Sequence, residues 1–380
     1  MADEAFPYFT SLHANDCYTY QDFDIPIGVG EGKGFRHLIL TGKNGSGKTT
    51  ILRAINDWMN AMNPIIDWAE VKGASVVPKT LVEERWTRLA SVFAFFKSTR
   101  RLKVEKVSKA QSDREFENLA FEHGLSPLLK QFLVNKKVNQ AFAIIDQNGE
   151  IVENHGRFFE SLEKTFQNVF DDSGLKMIFV PKEYEFYLQY SDGRKVSFEH
   201  LADGHSTFLS IVLELLIHVY RVQYFLEDNS LDPSGIVLID EPEAHLHLEL
   251  QYQVMPLLAS LFPNVQFIVA THSPAVVSSI KDATVFDLTT KKVANDWVVG
   301  SSFSELMTVH FGLDNEFSNI ADDIMAKAQA IIDGKNLPPE KSQTLKNLLI
   351  DNSRYLSPAF HLALESHILQ LEEELQVAHD

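Results

Sequence analysis

The chain has a single cysteine, Cys17, among 380 residues, so no internal disulfide can form, and no Cys-x-x-Cys pair supplies ligands for a structural zinc. Cys17 reads as an ordinary small residue, buried or half-buried. No run of about 18 uncharged apolar residues occurs, so no membrane span is expected. The Met-Ala-Asp-Glu-Ala-Phe start lacks the basic segment and apolar stretch of a signal peptide. A cytoplasmic location is therefore the expectation. Basic residues are scarce, with 34 Lys and Arg against 52 Asp and Glu for a net charge of −18. A field of that sign repels polyanions and argues against coating nucleic acid by unspecific phosphate contacts. The local exception is 97–109, where six basic residues surround one acid. Its plain reading is a solvated face; its sharper one is an edge that contacts DNA or RNA. There is no internal repeat and no low-complexity tract. What remains is a 45% hydrophobic chain, enough for one large core or two ordinary ones.

Against that background one stretch stands out. Gly42-Lys-Asn-Gly-Ser-Gly-Lys-Thr49 follows the strand-like run Arg36-His-Leu-Ile-Leu-Thr41 and precedes a helical pattern. Gly42, Gly45 and Gly47 let the backbone curl so that successive N–H groups, those of Asn44, Gly45, Ser46, Gly47, Lys48, Thr49 and Thr50 among them, face one anion. In such a loop the lysine, Lys48, reaches the β- and γ-phosphates of ATP, and the hydroxyl of Thr49 serves Mg²⁺. A Gly-rich surface turn would not explain Lys-Thr at its end.

Further along, Gly235-Ile-Val-Leu-Ile-Asp-Glu-Pro242 is a buried strand running into two adjacent acids. Carboxylates ending a core strand are costly unless a cation waits there. With the phosphate loop upstream, Asp240 is a Mg²⁺ ligand and Glu241 the carboxylate that polarises the attacking water. A second apolar strand, Val265–Ala270, ends in Thr271-His272-Ser273-Pro274. A lone histidine usually serves structure; at the C-terminal edge of a parallel sheet, one strand after the acidic pair, His272 is placed to reach a γ-phosphate. The third element, Leu201-Ala-Asp-Gly204 before a long helix, alone reads as a helix cap through Asp203 or Ser206, or as an anion site at Gly204.

The ordered set of phosphate loop, Leu201–Gly204, Asp240-Glu-Pro-Glu243 and Ala270–Pro274 resembles the non-transporter ATP-binding-cassette (ABC) ATPases. It is similar to the branch holding the SMC and RecF repair ATPases, the overcoming-lysogenization-defect nucleases and the ATPase subunits of antiphage systems such as PtuA of Septu. The resemblance covers about residues 5–315. It implies an α/β fold: an ABC-ATPase head with a mixed sheet of parallel core, flanking helices and an antiparallel β subdomain. It also implies two heads sandwiching ATP and Mg²⁺, hence a homodimer or higher homo-oligomer, with Glu241, His272 and Lys48 catalytic, Thr49 and Asp240 on the metal, and Gly204 on the partner's γ-phosphate. Two departures from the family pattern matter. Ala202 stands where a serine is usual and Asp203 where a glycine often is, which weakens contact in trans and leaves Ser206 or His205 as substitutes. Glu243-Ala-His-Leu-His247 replaces the Thr/Ser-rich loop of transporter subunits. Gln140 is the candidate for the family's glutamine loop.

The head is expected over 1–300, with a mostly helical insertion at about 63–137 and a helical C-terminal region over 301–380. Within the insertion, Leu81–Phe96 and Arg114–Asn135 have helical spacing. Ala141–Ile145, the Asn148-Gly149 turn and Glu150-Ile-Val predict a β-hairpin, followed by a helix over Gly156–Phe170. Alternation of strand and helix after residue 206 predicts a parallel sheet. The Leu/Ile stripe of Pro358–Gln376 reads as a helical cap or as a docking face for a partner. Ser301–Phe317 is similar to the start of the helical tail in PtuA-like ATPases. The insertion is too short for an SMC arm, and no acidic Asp-x-Asp nuclease module follows His272. A complete hydrolytic site without effector chemistry implies a sensor or regulator of a separately encoded effector, a nuclease, in bacterial antiphage defence. The alternative is a RecF- or SMC-like repair ATPase that binds DNA in an ATP-dependent way. No membrane partner is expected, and direct nucleic-acid contact stays open.

Overall fold

The computed structural model describes residues 8–17, 20–30, 34–60, 71–73, 91–100, 105–111, 128–226, 228, 231–294, 319–334, 338–353, 356 and 358–377. The predicted resemblance at Ser301–Phe317 lies outside them. Two compact units result, residues 1–306 and 307–380.

The first unit is built on a parallel sheet. Its strands are β3 (His37–Thr41), β5 (Val92–Phe96), β9 (Gly235–Asp240), β10 (Val265–Ala270) and β11 (Ala283–Asp287), with the short antiparallel β12 (Lys292–Val293) at one edge. The order is β12-β11-β3-β10-β9-β5. β3, β9 and β10 are buried at every position, as continuous Val, Ile and Leu runs must be when both faces are covered. Register then aligns the strand ends: Ala270 pairs with Asp240 and with Leu40, and Asp287 pairs with Thr41. The residues that follow therefore emerge along one rim. A three-stranded antiparallel sheet, β2-β1-β4, joins β1 (Ser11–Cys17), β2 (Tyr20–Pro26) and β4 (Val71–Gly73). Between the two sheets lies one core containing Ile25, Ile27, Leu38, Leu40, Ile51, Leu52 and Ile268, supplied in part by α1 (Lys48–Asn60).

A second core gathers the helical pair α2 (Leu129–Ile145) and α3 (Gly149–Val169), the antiparallel strands β6 (Lys176–Val180), β7 (Glu185–Gln189) and β8 (Lys195–Ser197), and the long helix α4 (Asp203–Leu226). Phe132, Leu133, Phe166, Phe186, Phe198, Leu209, Leu213 and Ile217 fill it. Lys130, 1% exposed, is held there by Glu185 and Glu199. By length and composition α4 would also cross a bilayer, but its apolar face is spent on this core. α5 (Leu248–Leu261) and the short α6 (Pro274–Ser278) complete the unit. A half-open cavity of about 760 Å³ lies at the sheet edge opposite the rim just described, because Asp232, Pro233 and Leu261–Pro263, which precede β9 and β10, line it together with Lys136, Tyr220 and Gln223.

Three expectations are corrected. The β-hairpin predicted at 141–152 is a helical hairpin: α2 runs through Ile145, Gln147 takes a φ of 56°, and Asn148 caps α3 by accepting from the Ile151 N–H at 3.3 Å. Asn-Gly supplied a cap, not a two-residue strand turn, and Gln140 sits inside α2, away from any strand end. Val92–Phe96, read as the end of a helix, is the strand β5 beside β9. β11 was not anticipated. β4 and β5 both fall within the block 63–137. The second unit consists of α7 (Asn319–Asp333), α8 (Pro338–Asn352) and α9 (Pro358–Val377), whose small core is Ala328, Leu345, Leu349, Leu364 and Ile368.

Candidate active site

The loop between β3 and α1 has the left-handed backbone that its glycines permit. φ is 132° at Gly42, 80° at Gly45 and 93° at Gly47, values that side chains resist. Lys43, Asn44 and Gly45 are exposed, Ser46 and Lys48 are buried, and Gly47, Thr49 and Thr50 are half-buried. Lys48 Nζ donates to the loop's own carbonyls, Gly42 O at 2.8 Å and Lys43 O at 3.2 Å. Burial lowers the Lys48 pKa, and the carboxylates of Glu241, Asp240, Asp287 and Glu243 oppose that shift.

Asp240 ends β9 directly across from this helix start. Thr49 Oγ1 lies 3.0 and 3.1 Å from the two Asp240 carboxylate oxygens. Burial nevertheless raises the Asp240 pKa, with Glu241 adding to the rise. The Thr49 hydroxyl and the charges of Arg53 and Arg100 offset that burial only in part, and the donor set of hydroxyl plus carboxylate is that of a Mg²⁺ site. The residues thus fit the ion.

Glu241, half-buried, adopts a φ of 52°, uncommon for a residue with a Cβ. Its N–H donates to Ala270 O at 2.8 Å, and its carbonyl accepts from Ala244 N at 3.0 Å. The turn is tied to the next strand by Glu243, whose Oε1 accepts from Thr271 Oγ1 at 2.6 Å and from the His272 N–H at 2.9 Å. His272 lies within electrostatic reach of Lys48 and Asp240. Its pKa is lowered first by burial, then by Lys48, with Asp240 opposing. A neutral imidazole near physiological pH follows, able to donate or accept one hydrogen bond.

Gly204 sits in the first turn of α4, half-buried. A Cβ there would lie 2.4 Å from His245 O, so close packing against the turn after Glu241 already requires glycine. Of the proposed substitutes for the missing serine, His205 is stacked on Phe170 at 4.4 Å between ring centroids, and Ser206 is half-buried; Ala202 and Asp203 are exposed.

Two contributors escaped the sequence reading. Asp287, at the end of β11, accepts from Thr289 N at 2.8 Å and Thr290 Oγ1 at 2.9 Å, and Thr289 Oγ1 in turn accepts from Lys43 N at 2.9 Å. This turn buttresses the phosphate loop. Arg100, four residues past β5, donates to Asp240 O at 2.8 Å and Glu241 O at 2.9 Å. It belongs to the basic run 97–109 but is turned inward, which removes it from any solvated or nucleic-acid-facing role. Only the pairing of β5 with β9 would have located it.

Residues 83–278, more than half of the chain, match the family described as "AAA domain, putative AbiEii toxin, Type IV TA system". The chain belongs to this AAA-domain family. The matched span of this AAA-domain protein carries Arg100, Asp240, Glu241 and His272. Its similar relatives include the "Retron Ec83 probable ATPase" of Escherichia coli, 27% identical over 42% of this chain and 31% of that one. The "Septu protein PtuA" of Bacillus mycoides is 24% identical over 65% of this chain and 36% of its own length. The "Retron Vc95 probable ATPase" of Vibrio cholerae is 37% identical over 23% of this chain and 17% of that one. The chain thus spans roughly a sixth to just over a third of these curated relatives. Among solved structures, an SMC head bound to the C-winged helix domain of ScpA overlays at a TM-score of 0.40 and 15% identity, covering 74% of this chain and 94% of that one. So loose an overlay adds nothing to the strand order already given.

Proposed function

We propose that this protein binds and hydrolyses ATP at the rim where β3, β9 and β10 end, and that its nucleotide state regulates a separate effector in antiphage defence. The observation that carries the hydrolytic reading is the meeting of Lys48, Thr49, Asp240, Glu241 and His272, drawn from three strand ends, within mutual hydrogen-bonding or electrostatic reach. Loop N–H groups from Asn44 to Thr50 receive phosphate oxygens, while Lys48 exchanges its two loop carbonyls for β- and γ-phosphate oxygens. Thr49 and Asp240 would hold Mg²⁺, which would supply positive charge against the charge developing on the phosphates. Glu241 orients the attacking water and accepts its proton; neutral His272 donates to the γ-phosphate. Gly204 and the α4 N-terminus face a second copy's nucleotide, so a homodimer or larger homo-oligomer is the working assembly.

The defence role is supported by the names of the relatives, a retron ATPase and Septu PtuA. A nuclease is the effector this reading favours, with a cytoplasmic location and no membrane partner; residues 307–380 are a candidate docking region. Release of phosphate from ATP is expected in the parent protein, with Lys48→Ala losing nucleotide binding. In cells carrying the protein with its neighbouring reading frames, Lys48→Ala is expected to abolish protection from phage. A Lys48→Ala protein that still binds and turns over ATP overturns the hydrolytic reading, and full protection by a hydrolysis-dead protein overturns the regulatory one. ATP-dependent, steeply salt-sensitive duplex binding would favour the repair-ATPase alternative.

A further inference from the structure

Arg100 occupies a place that the register of the sheet dictates. β5 runs parallel to β9 with Val92 opposite Gly235 and Phe96 opposite Ile239. The chain therefore leaves β5 beside Asp240, and a turn closed by Arg100 N to Lys97 O at 3.2 Å points residue 100 back at the end of β9. Its guanidinium then spans two consecutive carbonyls, donating to Asp240 O and Glu241 O, while a third bond goes to Lys97 O at 3.1 Å. A planar fork with fixed donors suits two acceptors in succession, and a lysine reaches only one of them well.

The residue so gripped is one of the non-glycine residues with left-handed backbone. Glu241 has a φ of 52°, a conformation unfavourable outside glycine that persists only when neighbours over-determine it. We infer that Arg100 is a positioning residue that acts through Glu241, fixing the peptides on both sides of it so that its carboxylate is held at the angle hydrolysis needs. The Glu241 carbonyl also accepts from Ala244 N at 3.0 Å, so the guanidinium adds a second donor there and ties that turn to the Asp240 carbonyl. The same guanidinium faces the carboxylates of Glu243, Asp240 and Glu241, and burial draws its pKa down to about 10 against their pull. It stays charged at any physiological pH.

This inference rests on the hydrolytic reading above, and the test separates the two. Steady-state ATP hydrolysis and equilibrium ATP binding are measured on the full chain for the parent, Arg100→Met, Arg100→Lys, Glu241→Gln and the Arg100→Met/Glu241→Gln double variant. Displacing a catalytic group by about 1 Å can reduce a rate roughly a hundredfold, so Arg100→Met should lower kcat by about that factor with KM and ATP affinity little changed. Arg100→Lys should fall roughly tenfold at the parental melting temperature, which keeps the test intact if Arg100→Met does not fold. In the Glu241→Gln background the further loss should be less than about threefold, since a residue acting through Glu241 has nothing left to position. Parental kcat in Arg100→Lys or Arg100→Met, an undiminished hundredfold loss on top of Glu241→Gln, or a loss seen in ATP affinity instead of kcat overturns the inference. A parent that does not hydrolyse ATP overturns the ATPase reading itself.

Discussion

At Gly42 the backbone φ is 132°, and an added Cβ would meet Thr289 Oγ1 at 2.8 Å, Ser46 Oγ at 2.9 Å and Asp287 Oδ1 at 3.0 Å. Both the strained torsion and the crowding act on the first residue of the phosphate loop, so Gly42→Ala should destabilise the protein by about 1–3 kcal/mol and weaken ATP binding at least tenfold, as read by denaturant melts and a binding titration. Glu241→Gln should instead reduce turnover by about 10²–10⁴-fold while leaving ATP affinity within a fewfold, as phosphate release against nucleotide binding will show. A third residue-scale expectation concerns pH. Burial raises the Glu214 pKa from 4.5 to about 7, so its folded value exceeds its unfolded one. The stability it contributes is then present below about 4.5 and is lost as pH rises through about 7. Glu214→Gln should flatten the stability profile between those values, by at most about 3–4 kcal/mol, in chemical denaturation across pH. That Lys48, Thr49, Asp240, Glu241 and His272 lie together could be expected from the chain because each follows an apolar run of one parallel sheet, and the phosphate and metal roles proposed for them call for those residue types. Arg100 and Asp287 could not. Each acts across more than a hundred positions through strand pairing, and nothing local marks an arginine in a basic run as the one turned inward.

Elements built from continuous buried apolar runs, β3, β9 and β10, were legible for the same reason, and so was α4. The α2–α3 pair was not. The apolar run Ala141-Phe-Ala-Ile-Ile145 predicts a hairpin strand, yet Phe142, Ile144 and Ile145 are 59%, 60% and 72% exposed at the end of α2. Apolar residues left in solvent obey no period, so periodicity misassigned them. α2 is held by its first turns, where Leu129, Phe132, Leu133 and Val134 enter the second core, and beside them Lys130, under β7, gathers Glu185 and Glu199. Removing one partner of a buried ion pair strands the other, so Lys130→Ala should cost about 3–5 kcal/mol, and Lys130→Met less because its volume is kept. Denaturant midpoints of the two variants, measured side by side, check both the cost and the order.

Over the whole molecule the cores fall into separate groups, and Leu345, Leu349, Leu364 and Ile368 belong to the C-terminal unit alone. Calorimetry should therefore resolve more than one transition. Leu345→Ala, which empties a fully buried site, should lower only the C-terminal one, by about 2–5 kcal/mol.

Helix α4 gives the first unit a mechanical property. Its 24 residues make a rod about 36 Å long, with Gly204 pressed on the turn after Glu241 at one end and Leu216, Val219, Tyr220 and Gln223 in the wall of the distant cavity at the other. A rod that stiff transmits displacement instead of absorbing it. Tyr220→Ala, which loosens the cavity end of this rod, is therefore expected to alter the packing of Gly204 on His245 O at the other end, read as a change in the rate of phosphate release from ATP.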